Sequence, residues 1–135
     1  MKPRTPKREQ FLLDVFVTAI ENYGYGFFVT EQYVWDVPAA QAYAVIADKQ
    51  DESRRWRVDI DTMATGLRVI RTAKQITQGG ETYRVNADGQ RLYFGGPARE
   101  AVVAADRSNG DEGDIDVIGA LAVLECALFG RVVYP

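Results

Sequence analysis

Apolar residues cluster most heavily near the C-terminus, where Ile115, Ile118, Leu121, Ala122, Leu124, Leu128 and Phe129 recur at helical spacing. Val117, Val123 and Ala127 fill the other flank. A helix apolar on nearly all sides is packed from several directions, so this one is expected at the centre of the fold. Gly130 follows as a left-handed stop, and Arg131 to Tyr134 reads as a short final strand joining a sheet edge.

The remaining pattern predicts smaller elements. Residues 7 to 23 carry an amphipathic stripe of Leu12, Val15, Phe16, Ala19, Ile20 and Tyr23, with Gly24 as the stop. From Phe27 to Val37 the period changes to two. Phe27, Val29, Tyr33, Trp35 and Val37 share one face, the signature of a half-buried antiparallel strand. Pro38-Ala39-Ala40 turns the chain, Gln41 to Ala47 returns, and Trp56-Arg57-Val58 follows a charged loop, which makes a meander. Asp59 caps a second helix from Ile60 to about Lys74, striped by Ile60, Met63, Ala64, Leu67 and Ile70. Glu81–Val85 and Gln90–Phe94 around Asp88-Gly89 predict a hairpin, with Gly79-Gly80 and Gly95-Gly96 as flanking hinges. Pro97 opens a short third helix to about Ala105, with Ala101, Val102 and Ala105 apolar.

The expected fold is α+β: a small antiparallel meander with helices packed on one face and the C-terminal helix central. Residues 1 to 8 are expected to be a flexible basic tail and 9 to 135 a single domain. Thr5-Pro6 also fits an N-cap with proline at the first helical position.

Composition narrows the chemistry. With 135 residues and 47% hydrophobic content the chain has enough apolar material for one core. A net charge of −3 argues against a general nucleic-acid binder and leaves room only for a local basic patch or a basic N-terminal arm. One cysteine, Cys126, permits no internal disulfide, and no apolar run is long enough to span a membrane. No signal-peptide pattern is evident, so a cytoplasmic protein is expected. The chain has no histidine, which removes the commonest general base, both histidine-based nucleophile arrangements and most zinc sites. It also lacks a phosphate-cradling glycine loop and a nucleophile elbow. A non-enzyme without cofactor or metal is the expectation.

Three surfaces are candidates for binding. The run Tyr23-Gly24-Tyr25-Gly26-Phe27-Phe28 places rings between glycines. It reads either as a stacking surface, with Tyr25, Phe27 and nearby Trp35, or as a turn whose rings cap the core. Arg54, Arg57, Arg68 and Arg71, with Arg55 and Lys74 nearby, form the basic concentration, suited to a phosphate or an acidic partner or to a solvated helix face. Asp106, Asp111, Glu112, Asp114 and Asp116 form an acidic turn. Helix capping explains that turn better than a cation site, because counting an EF-hand loop from Asp106 puts Asp111 where glycine is required.

The run Asn109–Asp111–Gly113–Asp114–Ile115–Asp116, with Ala127-Leu128-Phe129-Gly130 and Val132-Val133-Tyr134, resembles small uncharacterised proteins encoded by actinobacterial phages and related mobile elements. Asp14-Val15 to Ala19-Ile20-Glu21, Tyr23 to Phe28, Tyr33-Val34-Trp35-Asp36 and Asp59-Ile60-Asp61 to Gly66-Leu67 extend the resemblance. It covers most of the chain and is weakest from Thr72 to Pro97. Glu125 and Cys126 depart from it, standing where an amide and a small residue are expected. The resemblance implies a genetic context and no mechanism.

The leading expectation is therefore an accessory protein that binds and modulates a host or defence-system protein. The alternative is a small-molecule or nucleotide-binding module with an aromatic–arginine pocket. A third reading is a carboxylate–metal enzyme. The edge strand and apolar hairpin would also suit a homodimer.

Overall fold

The computed structural model describes residues 3–134. Helix α1 spans Pro6–Glu21, with the Thr5 hydroxyl accepting from the Arg8 amide at 3.1 Å and proline at its first position. The expected tail through Arg8 is thus shorter, because an N-cap recruits Pro6, Lys7 and Arg8 into the helix. Met1 and Lys2 lie outside the described residues. Leu12, Val15, Phe16, Ala19 and Ile20 are buried as the stripe predicts. The helix stops at Glu21, and Tyr23 lies instead in a 3-10 turn, Tyr23–Tyr25, about half exposed.

Strands β1 (Phe28–Val34), β2 (Tyr43–Asp48) and β3 (Arg55–Asp59) form the expected antiparallel meander in that order. Its inward face differs from the expected alternation. Phe28 pairs with Asp48 and Thr30 with Ile46, but Gln32 pairs with Val45, so Glu31 is an extra, bulged residue. The bulge changes the parity along β1. Phe28 is fully buried, Val29 is 38% exposed, and Tyr33 returns to the core side against Phe16. Trp35 lies beyond the strand and is 52% exposed.

Helix α2, Ile60–Thr72, starts with a reciprocal cap. Asp59 accepts from the Thr62 amide at 3.1 Å, and the Thr62 hydroxyl accepts from the Asp59 amide at 3.1 Å. Two further strands follow, β4 (Lys74–Gln78) and β5 (Glu81–Val85), paired in register. Gly79 and Gly80, with φ of 60° and 79°, are their two-residue turn and not a hinge. The expected hairpin is therefore displaced by one strand, and Glu81–Val85 is its second arm. The turn at Asn86–Gly89 does form, but Gln90–Phe94 contributes only the bridge Val85↔Arg91. A strand cannot continue there, because Tyr93 has a φ of 59°.

Helix α3, Gly96–Ser108, runs a turn longer than expected, to a left-handed cap at Asn109. Val102 and Ala105 point inward together with Arg99 and Asp106, while Ala101 is exposed. The buried Arg99 donates to the carbonyls of Ile70 at 3.3 Å and Arg71 at 3.4 Å, placing a cation at the negative end of α2.

Helix α4, Val117–Phe129, begins with Asp116 accepting from the Gly119 amide at 2.7 Å and ends at Gly130, with φ of 77°. It packs against α1, α2 and α3 and is the central element, as its all-round apolar pattern predicts. Gly66 of α2 lies so close to it that a Cβ there would be 2.0 Å from the Val123 carbonyl oxygen. The segment after Gly130 is not the expected strand. Val132 donates to Leu92 O at 2.9 Å, while the amides of Val133 and Tyr134 go to a side chain, Glu125. Four helices with a three-stranded and a two-stranded antiparallel sheet make an α+β fold. Among the described residues, no helix is long and apolar enough to cross a membrane.

Candidate functional site: an apolar groove beside the C-terminal helix

Most of the expected basic residues are already ion-paired within the chain. Arg54 lies 5.2 Å over the Trp56 ring and 3.6 Å from Asp48. Arg57 pairs with Asp59 at 2.7 Å and covers Tyr43, and Arg71 pairs with Asp106 at 3.1 Å. Of these four, only Arg68 lacks an ion pair among the described residues. A guanidinium already matched to a carboxylate has less to offer an external phosphate.

The acidic turn keeps Asp111, Glu112, Asp114 and Asp116 exposed, but most of its carboxylates are engaged within the chain. Asp106 is 5% exposed and belongs to the interior, so it is not part of an acidic surface. Asp111 pairs with Lys7, Glu112 with Arg107 at 3.6 Å, and Asp116 caps α4. Asp114 lies with Asp111 and Trp35 along a separate cleft beside α1. Among the described residues, no group of three or more cysteine or carboxylate side chains could hold a metal ion.

The glycine–aromatic run serves both of its readings. Tyr25 is 83% exposed, whereas Phe27 and Phe28 are core residues. Gly26 allows this split, because a Cβ there would lie 2.8 Å from the Phe28 ring. Phe27 stacks on Tyr134 with centroids 4.9 Å apart and meets Trp56 and Phe129 edge-on, at 5.6 and 5.3 Å. Four interlocked rings make a stiff wall.

That wall backs a groove of about 630 Å³. Ile118, Leu121 and Ala122 of α4 form one side, while Tyr25 and Tyr93 stand at its edges. Tyr93 is 57% exposed and is held in the left-handed region, an arrangement that stores backbone strain at a rim position. Ile118, on a helix otherwise deep in the core, is 71% exposed here. The groove is the face of α4 that no other element covers. Its volume lies within the roughly 300–1,000 Å³ typical of small-molecule sites.

Glu125 is the polar exception in the lining. The residue is only 5% exposed. Its Oε1 accepts from the amides of Val133 at 2.9 Å and Tyr134 at 2.7 Å, so the side chain straps the chain end to α4. Its Oε2 has no hydrogen-bond partner among the described residues, and the residue borders the groove. Burial pushes the Glu125 carboxyl above its ordinary range, and the two amide donors partly oppose that shift. The adjoining Cys126 thiol is pushed up to about 12, first by burial and then by the charge of Glu125. Cys126 is therefore expected to remain unmodified by a disulfide reagent at neutral pH and to react promptly once the chain is denatured, as a thiol titration would show.

Of the candidates, the structure brings Tyr25 and Phe27 together at the groove and leaves Trp35 and all four arginines outside its lining. Sequence reasoning passed over Tyr93, Ile118 and Leu121 as surface and Glu125 as a site. A carboxylate inside an otherwise apolar helical run was the signal available for Glu125. Compared with protein-family models, curated proteins and solved structures, the chain has no significant match. Fold and groove together define an α+β protein with an apolar groove lined by a single carboxylate.

Proposed function

We propose that the protein is a non-enzymatic binding module and that the groove between Tyr25, Tyr93 and α4 takes a small organic ligand. The observation that carries this reading is the uncovered apolar face of α4, backed by packed rings and large enough for such a ligand. The arginine half of the expected aromatic–arginine pocket drops out, since no arginine or lysine lines the groove. A nucleotide is thereby disfavoured, because its phosphates would find no cation. With one carboxylate in its lining, the groove offers binding surface and no nucleophile–base pair.

A thermal-shift screen of small organic molecules tests this reading. A ligand present at about a hundred times its Kd stabilises the native state by roughly 2.7 kcal/mol. Truncating Tyr25 and Ile118 together to alanine is expected to weaken the best ligand by about tenfold or more, as each side chain supplies on the order of 1 kcal/mol or more of buried area. Both side chains are exposed, so the melting temperature of the unliganded variant should hold. A ligand that binds the double variant as tightly as the wild type lies elsewhere.

A protein partner is the second reading, favoured by the rim itself. Tyr25, Tyr93 and Ile118 project more apolar area than a small ligand inside the groove covers. The resemblance to phage-encoded proteins supports a host or defence-system protein as that partner. The basic concentration adds little to this reading, because Arg71 is tied to Asp106 and Arg68 stands alone.

A further inference from the structure

We propose that the ligand is a small organic cation with an apolar body, and that Glu125 is its counter-ion. The inference rests on the reading of the groove as a ligand site and adds the chemistry of what fills it. Glu125 is the one formally charged side chain in the lining; everything around it is aliphatic, aromatic, glycine or the amide of Asn22. The carboxylate is half satisfied. Oε1 holds two backbone amides; Oε2 makes no hydrogen bond among the described residues and keeps a small solvent contact, in a residue only 5% exposed that lines the groove. An ionised oxygen with so little water around it is only weakly compensated. An ammonium group placed beside it supplies both the hydrogen bond and the countercharge.

The surroundings select the rest of the molecule. The apolar sides provided by Leu121, Ala122 and Val132 suit a hydrocarbon body. Tyr25 has its ring free to lie against a cation or an aromatic group. One face of Tyr93 is already occupied by Arg91, 5.1 Å from the ring centroid, so Tyr93 serves as a wall more than as a cation acceptor. An anionic ligand would meet a desolvated carboxylate with no cation in the lining to offset it. A neutral ligand without a donor would leave Oε2 as it is.

The test uses the whole chain and a matched series of indoles that differ only at the end of a two-carbon arm: tryptamine, tryptophol and indole-3-propionate. Calorimetry at about pH 8 keeps the amine charged. The expected result is tryptamine binding about tenfold or more tighter than tryptophol, the gain typical of a charge-assisted hydrogen bond, with no binding of the propionate. Glu125→Gln keeps an oxygen to accept from Val133 and Tyr134, and it should reduce tryptamine to the level of tryptophol. Ile118→Arg, at an exposed position on the lip, removes the same apolar contact from both ligands and adds a positive charge, so it should weaken tryptamine clearly more than tryptophol, and the test survives if the Gln variant fails to fold. Equal affinities, or preference for the alcohol or the acid, would overturn the cation assignment and leave the groove as a ligand site. No binding of any of the three at about 5 mM, with no hit in the broader screen, would overturn both.

Discussion

Replacing Gly66 with alanine is expected to cost about 3 kcal/mol or more, a fall in melting temperature of roughly 10 °C for a domain of this size. A Cβ at residue 66 would sit 2.0 Å from the Val123 carbonyl oxygen and 2.8 Å from its carbonyl carbon. These are backbone atoms of α4, so no rotamer change relieves the clash; the helices have to separate. Separation would open voids around Met63, Leu67, Val123 and Leu124, all essentially fully buried. Interiors are packed densely enough that such a shift is felt across the core. Gly24→Ala is the matched control, since a Cβ there meets nothing within 4 Å. Thermal denaturation of the two variants beside the wild type decides the matter. A Gly66→Ala protein as stable as Gly24→Ala would mean that the α2–α4 crossing is looser than described.

The second large effect is expected at Asp106. Its carboxylate is 3% exposed and lies between two arginines, with Arg8 Nη2 2.7 Å from Oδ1 and Arg71 Nη1 3.1 Å from Oδ2. The Arg8 contact at Oδ1 is an ion pair and not a well-aligned hydrogen bond. Arg8 also donates through Nη1 to the Asp106 carbonyl at 2.9 Å and to Asn109 Oδ1 at 3.1 Å, which fastens α1 to the end of α3. Breaking a buried ion pair by removing one partner costs about 3–5 kcal/mol. Here the Arg71 side chain is 49% exposed and can turn to water, so the expected loss for Asp106→Ala is nearer 2–3 kcal/mol. A double-mutant cycle separates pairing from packing. In an Arg8→Ala background, the cost of Asp106→Ala should drop by about 1 kcal/mol or more. Strict additivity, or a single-variant loss below about 0.5 kcal/mol, would remove Asp106 as a structural tie.

Gly66 and Asp106 also mark the reach of sequence reasoning. Gly66 sits in a helical stripe where glycine lowers helix propensity, but its neighbour across the crossing is 57 positions away at Val123. Asp106 reads as one more member of an acidic turn until α3 extends to Ser108 and turns it inward. The meander, the Asp59 cap and the central apolar helix were legible because local rules of periodicity and capping govern them. The β1 bulge was not, because nothing in Thr30-Glu31-Gln32 announces an extra residue; its partner strand sets the register. The second hairpin was misplaced for a related reason. Gly79-Gly80 and Asp88-Gly89 are both good turn signals, and the left-handed Tyr93 ends the third candidate strand.

The candidate site divides along the same line. Tyr25 and Phe27 were flagged by their glycine neighbours, and the structure sends one outward and one inward because the Phe28 ring fills the space beside Gly26. The charged candidates were read from proximity in sequence, whereas ion pairing is decided by what folds against each side chain. Lys7 meets Asp111, Arg8 meets Asp106 and Arg54 meets Asp48. By itself, the sequence determined an α+β chain with a central C-terminal helix, since burial periodicity and helix caps act over a few residues. Only the tertiary structure decided that one face of that helix stays uncovered, with the free oxygen of Glu125 beside it. That outcome depends on where Tyr25, Tyr93 and Tyr134 come to rest, and those positions follow from long-range packing that no local pattern encodes.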